Sequence, residues 1–173
     1  MFTIRQASAS DIAVLRAIDD DACALYSAHG VKVDLPADHP FARAELVSWL
    51  RAAELGRVFM AFDPGGLGVG FAALDLLDDE PYLDQLSVRV TAMRQGLGGR
   101  LLARAADWAR EAHGSALWLT TYDHLAFNRP YYEKRGFVVV PEADCGAELR
   151  HHLDEQRRHL PLPGQRIAMR RSL

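Results

Sequence analysis

Cysteine is nearly absent from this sequence. Only Cys23 and Cys145 occur in 173 residues, with no CxxC spacing and no partner histidines at ligand spacing, so neither a disulfide framework nor a metal site is expected. An excess of charge of one sign is missing too. A formal net charge of -3, with seven histidines taken as neutral, supplies no global basic field of the kind that gathers nucleic acid or an anionic membrane. Any anion site must then be local. Long apolar runs are also lacking: nowhere do about 18 apolar residues follow one another, and "MFTIRQASASD" has no basic stretch leading into an apolar one. Neither a membrane span nor a secretory leader is expected, and a cytoplasmic protein is. There is no repeat, low-complexity tract or linker. What is present is a hydrophobic content of 49%, enough for one well-buried core, so residues 1–173 are expected to form a single domain.

Periodicity sets the order of elements. "FTIRQA" alternates as a strand, and Ser10 or Asp11 is placed to cap a helix with Ile12, Leu15, Ile18 and Ala22 at helical spacing. A second helix fits "FARAELVSWLRAAEL", with Phe41, Leu46, Trp49, Leu50 and Ala53 on one side and Gly56 at its end. "RVFMAFD", "PGGLG" and "VGFAALDLLD" make a hairpin, and "PYLDQLSVRV" is a further strand. Leu101, Leu102, Ala105, Trp108, Ala109 and Ala112 then form an apolar helical stripe stopped by Gly114. Next come a strand "ALWLTTY", a short helix "FNRPYYEKR", a strand "VVV", a charged helix "AELRHHLDEQRRH" and a last strand "QRIAMRRSL". The order β-α-α-β-β-β-α-β-α-β-α-β predicts an α/β (α+β) fold: a mixed sheet with helices on both faces. Its clear parallel crossover lies between Tyr82 and Tyr122.

"MRQGLGGR", residues 93 to 100, opens the helix of that crossover with Gly96, Gly98 and Gly99. A loop at this position presents unpaired backbone N–H groups at the positive end of a helix dipole, and glycines let an anion approach the chain. Arg94 and Arg100 can add charge. The spacing fails two phosphate motifs by residue: no Lys-Ser or Lys-Thr follows as a nucleotide P-loop requires, and Leu101 stands where the last glycine of GxGxxG belongs.

The segment instead resembles the pyrophosphate loop, [QR]xxGx[GA], of the GNAT superfamily of acyl-CoA-dependent N-acetyltransferases. Gly96 and Gly98 fill its last two positions, while Met93 stands where the family has Gln or Arg. "NRPYYEKRGF", residues 128 to 137, resembles the end of the same family's catalytic core, in which a tyrosine stands four positions before Gly-Phe; Tyr132 has that spacing to Gly136. Asp123, Asn128 and Tyr131 fit a variant of this stretch. The resemblance runs from Phe2 to about Val140.

It implies a GNAT-like domain: a mostly antiparallel sheet of about seven strands with a parallel, splayed central pair. It also implies acetyl-CoA as cosubstrate and acetyl transfer to the primary amine of a small molecule or peptide, by direct attack in a ternary complex. Leu86, Ser87 and Val88 would face the pantetheine arm and the thioester carbonyl. The pyrophosphate would lie on Met93, Arg94, Gln95, Gly96, Gly98, Gly99 and Arg100, with Asn128 a further cofactor residue. Tyr132 would protonate the leaving thiolate, a transfer that a phenol of pKa about 10 makes without a large shift. For the base, Asp84 shares a face with Leu86 and Val88 by strand alternation, and Glu80 lies just before the strand. His124, His151 and His152 are alternatives, although histidines in a charged helix are expected to be solvated. A homodimer through an exposed final strand is a further expectation, and a non-catalytic CoA-binding regulatory module is the competing one.

Overall fold

A computed structural model describes all of residues 1–173. Its seven strands and five α-helices follow the expected order, and the strands form one mixed sheet, β1-β2-β3-β4-β5-β7-β6. The ladders β1–β2, β2–β3, β5–β7 and β6–β7 are antiparallel, and β4–β5 is parallel. The backbone gathers into two compact units, Met1–Leu74 with Gln85–Ala105, and Asp75–Asp84 with Ala106–Leu173.

The first unit holds β1 (Thr3–Gln6), α1 (Ile12–Ser27), α2 (Pro40–Glu54), β2 (Val58–Phe62), most of β3 (Gly68–Leu77), the end of β4 (Glu80–Val88) and the start of α3 (Leu97–Glu111). Leu15 and Ile18 of α1 and Trp49, Ala52 and Ala53 of α2 bury against Val58, Met60, Phe71 and Ala73. Trp49 meets Phe71 edge-on with ring centroids 5.1 Å apart. Neither Ser10 nor Asp11 caps α1 in the expected way. The chain enters through a single 3-10 turn, Ala9–Asp11, where the Ser8 N–H donates to the Asp11 carboxylate at 2.9 Å in a reciprocal capping box.

The second unit holds the beginning of β4, the end of α3, β5 (Ala116–Tyr122), α4 (Arg129–Glu133), β6 (Val138–Val140), α5 (Ala147–His159) and β7 (Arg166–Ser172). Its register pairs Tyr82 with Trp118 and Leu83 with Leu119, whereas β4 itself continues to Val88. Tyr82, Cys145, Leu149 and Ala168 form a buried cluster joined by Leu77, Trp118 and Val140.

The start of α5 is fixed by a residue far away in sequence. Asp78 accepts from the Glu148 and Leu149 N–H groups, both at 3.0 Å, and its own N–H donates to Glu148 at 2.5 Å. This is a capping box made across 70 residues of chain. A Cβ at Gly146 would come within 2.1 Å of the Asp78 carboxylate, so only glycine leaves room for this cap.

Two expectations need correction. Ala112 is exposed, because the buried stripe of α3 runs through Leu97, Leu101, Leu102, Ala105, Ala106 and Ala109 and the helix has ended at Glu111. The final strand is not an exposed edge, since β7 lies between β5 and β6, and the edge strands are β1 and β6. No helix is long and apolar enough to cross a membrane.

Candidate active site

In the first unit the glycine segment is a helix entry. β4 ends in a 3-10 turn, Val90–Ala92, tied down where the Val90 N–H donates to the Asp21 carboxylate at 2.7 Å. Met93 is extended, Arg94 takes a left-handed φ of 59°, and Gly96 takes a φ of 77°. The first helical hydrogen bond of α3 runs from Arg100 N–H to the Gly96 carbonyl at 3.1 Å, so Leu97, Gly98 and Gly99 lie within the first turn. Their N–H groups have no acceptor inside the helix, which is what an anion cradle requires. The helix entry therefore follows Gly96, and Gly98 and Gly99 belong to the helix rather than to a loop. No atom lies within 4 Å of where a Cβ at Gly96 would stand, so the backbone there faces open space. Of the two flanking arginines, Arg94 is exposed, and Arg100 donates to the Phe2 carbonyl at 3.0 Å. Gln95 folds back to the Thr91 carbonyl at 3.1 Å.

Just upstream, the Ser87 hydroxyl is buried and committed to Asp19 of α1, donating at 2.7 Å. Gln85 reaches the same carboxylate oxygen at 2.7 Å. Burial pushes the Asp19 carboxyl above its ordinary range, and the bonds from Ser87 and Gln85 oppose this. Leu86, between them in β4, is half-buried, as is Val88. The sequence reading missed Asp19. Its signal was a carboxylate one helical turn from Leu15 and three positions before Ala22, in phase with the apolar stripe.

In the second unit Asn128 is buried and precedes α4 as its N-cap. Tyr132 packs edge-on against Tyr131 and Phe137. The Tyr-to-Gly-Phe spacing has a physical cause. Phe137 N–H donates to the Tyr132 carbonyl at 3.2 Å and Gly136 N–H to that of Glu133 at 3.0 Å, a Schellman stop that needs the φ of 84° found at Gly136.

The base candidates separate clearly. Glu80 holds the start of β5, accepting from Ser115 and Ala116 backbone N–H groups at 3.0 and 3.3 Å and from the Ser115 hydroxyl. His124 and His151 are exposed. His152 is not the solvated histidine expected of a charged helix: its ring meets Tyr82 edge-on at 5.1 Å, and Nε2 lies 3.8 Å from Asp84 Oδ1. Burial, reinforced by the Arg166 charge, brings its pKa down to about 4. Behind it lie Gln156, Thr120 and Arg166, all hydrogen-bonded to one another, with Gln156 and Arg166 buried. Gln156 was also missed, although it stands in the apolar phase Leu149, Leu153, Gln156 of α5.

Both cysteines are free, and burial pushes the Cys23 thiol up to about 12, which removes it as a nucleophile at neutral pH. No three His, Cys, Asp or Glu side chains are grouped to hold a metal ion.

Comparison with solved structures places the fold. The chain superposes over its full length on PaiA N-acetyltransferase from Thermoplasma acidophilum, solved with coenzyme A, at 14% identity and a TM-score of 0.71, covering 99% of that chain. A GNAT-family acetyltransferase from Staphylococcus aureus gives 18% identity and a TM-score of 0.73, again over 100% of this chain and 99% of the other. N-acetylglutamate synthase from Neisseria gonorrhoeae, solved with coenzyme A and N-acetyl-glutamate, gives 20% identity and a TM-score of 0.70; this chain is fully covered but spans only 35% of the synthase. At the level of sequence, residues 32–137 match the model of the acetyltransferase (GNAT) family. This span includes both the glycine entry of α3 and Tyr132, and the chain belongs to that family.

Proposed function

We propose that residues 1–173 act as one N-acetyltransferase domain that moves an acetyl group from acetyl-CoA to a primary amine by direct attack in a ternary complex. The observation that carries this is the entry to α3, where Gly96 is left-handed with open space beside it and the N–H groups of Leu97, Gly98 and Gly99 stand in the first turn, without acceptors inside the helix. Those groups would hold the cofactor's pyrophosphate. Coenzyme A accompanies PaiA and the N-acetylglutamate synthase in their structures, which supports the same ligand here.

When bound, acetyl-CoA supplies a thioester as the acyl donor. The roles of the chain follow from its own groups. Backbone N–H groups of Leu86 and Val88 at the end of β4 would steady the arm and the thioester carbonyl. Asp84, two positions earlier in the same strand, would take the proton that the amine loses on attack. Tyr132 would return a proton to the departing thiolate, completing the balance. A neutral amine is required: at pH 7 an α-amine of pKa about 8 is roughly a tenth neutral and a lysine amine under about 1%, which favours an α-amine unless the site is strongly basic.

The test is thermal stability in acetyl-CoA. Wild-type protein should gain several degrees at saturating acetyl-CoA, and Gly98→Glu, which sets a carboxylate where the pyrophosphate would lie, should lose that gain. Equal stabilisation of both proteins would remove the cradle. Release of free thiol over a panel of amines separates the enzyme from a CoA-binding regulatory module, which would be stabilised without releasing thiol.

A further inference from the structure

The hydrogen bonds behind His152 fix where its proton sits. Arg166 Nη2 donates to Gln156 Oε1 at 2.7 Å, and a guanidinium can only donate, so the Gln156 amide cannot be turned the other way. The Thr120 hydroxyl donates to the same oxygen, also at 2.7 Å. The amide nitrogen therefore faces His152 Nε2, at 3.1 Å. It can only donate, so the single lone pair of Nε2 is occupied and the ring proton is on Nδ1.

This excludes His152 as the base for the amine: the nitrogen able to accept a proton is taken, and the other already carries one. What the ring offers is a donor. Nδ1 has no hydrogen bond within the chain, and it is not sealed from solvent as the unpartnered Arg166 Nε and Tyr131 Oη are. The His152 side chain is 30% exposed and borders a shallow groove of about 530 Å³ shared with Leu77, Ala147, Glu148, His151 and Glu155. We propose that His152 Nδ1–H, held in this tautomer by Arg166 and Gln156, is a specificity-determining donor to an uncharged carbonyl oxygen of the acceptor, whose substrate class is then an α-amine with an amide carbonyl beside it.

Charge decides the kind of oxygen. Asp84 Oδ1 stands 3.8 Å from Nε2, and Glu148 and Glu155 line the groove, so a carboxylate there meets like charge and an amide oxygen does not. The other groups acting on the ring are Tyr82 of β4, Asp75 of β3, His151 of α5 and Arg166 of β7, the last of them buried. Position decides how close the oxygen is to the amine. Asp84 is the group given the amine's proton, and it lies beside one nitrogen of the ring, so an oxygen that reaches the other nitrogen belongs to atoms a few bonds from the amine. Burial and Arg166 together hold the ring neutral down to about pH 4, so the tautomer persists throughout the physiological range.

This proposal rests on the acetyltransferase reading, and its first test needs no turnover. Nitrogen NMR of histidine-labelled wild-type protein should show His152 as the Nδ1–H tautomer at pH 7. With coenzyme A present in place of acetyl-CoA, alaninamide should shift the Nδ1 signal, and isopropylamine, which lacks the carbonyl, should not. An Nε2–H tautomer or an imidazolium at pH 7 overturns the proposal, as does an Nδ1 signal that answers isopropylamine or the carboxylate analogue alanine as strongly as alaninamide. The second test is kinetic. His152→Leu, which removes the donor, should raise the alaninamide KM at least tenfold, and His152→Asn, whose amide nitrogen still donates, less than threefold, with kcat and the acetyl-CoA KM within threefold of wild type in both. Equal effects of the two substitutions overturn the proposal, and so does a wild type that acetylates isopropylamine and not alaninamide. A protein stabilised by acetyl-CoA but carrying the wrong tautomer loses this donor and keeps the proposed function. The right tautomer with no acetyl-CoA response loses the proposed function, and the donor's role with it.

Discussion

The two units build their candidate sites from different materials. In the first, the candidate groups are backbone N–H groups in the first turn of α3, without acceptors inside the helix, and the nearby side chains Gln95 and Arg100 are turned onto carbonyls of the chain itself. In the second, Asp84, His152, Gln156, Thr120, Arg166 and Tyr82 interact through side chains, and the backbone serves to place them. The contrast has a chemical cause. A pyrophosphate presents diffuse charge that a row of N–H dipoles meets without side chains, whereas steering a proton needs donors and acceptors of defined sense. Side-chain truncation should therefore damage the second unit's chemistry and leave the first unit's binding intact, while backbone changes should do the reverse.

The sharpest break is expected at Tyr132. Tyr132→Phe deletes a hydroxyl and keeps the ring that packs on Tyr131 and Phe137, so the fold should hold. Turnover should fall about a hundredfold, the ordinary worth of a general acid, with acetyl-CoA affinity unchanged. Steady-state kinetics with direct acetyl-CoA titration reads both. Full turnover in the variant at every pH would remove Tyr132 from the reaction.

His152 sharpens the comparison through pH. Its folded pKa of about 4 lies below the ordinary 6.5, so between those values the unfolded chain binds a proton that the folded chain refuses. The stabilisation is complete above pH 6.5 and is lost as pH falls toward 4, by roughly 1–3 kcal/mol after allowance for partial solvent access. His152→Gln should flatten that part of the curve in urea melts between pH 7 and pH 4. An unchanged slope would mean that this ring titrates normally.

How far the sequence could be read divides along the same line. The order of all twelve strands and α-helices was visible in periodicity and in Gly and Pro punctuation, since those signals are local. The helix entry at Gly96 and the Schellman stop at Gly136 were visible for the same reason: each is a backbone device written in consecutive residues. The side-chain network was not. Gln156 reaches Thr120 over 36 positions of chain, and Asp78 caps α5 over 70, and no local pattern carries such pairings. What the sequence did carry was a polar residue in the apolar phase of a helix, at Asp19 and at Gln156, a signal easily passed over as noise in an amphipathic stripe. The assumption that a histidine in a charged helix is solvated failed at His152 because α5 lays that side of itself against Tyr82.

Breaking the first unit's site takes a backbone change. At Gly96 the φ of 77° is strained for a β-branched residue, at a cost on the order of 1–3 kcal/mol, while the space around it is open, so strain acts there without a clash. Gly96→Val should weaken acetyl-CoA binding about tenfold by calorimetry. Gly96→Asn, which tolerates the left-handed region, should lose less than threefold. Equal losses would point to the side chain's bulk instead of the backbone's conformation.

The smallest effect is expected at Met93, the one position where the loop departs from the pattern it resembles. Met93 is extended, with its N–H bound to the Val90 carbonyl at 3.3 Å, so its backbone belongs to the turn that precedes the cradle. If backbone groups from Gly96 onward do the holding, Met93→Arg adds one solvent-screened charge near a helix N-terminus, worth a few tenths of a kcal/mol to a bound phosphate. Acetyl-CoA affinity should then rise by no more than threefold, and the gain should vanish in high salt. A gain above tenfold that persists in salt would show that the loop lacks a cation its ligand needs, and the contrast between a backbone-built site and a side-chain-built one would fail at the position where it is easiest to test.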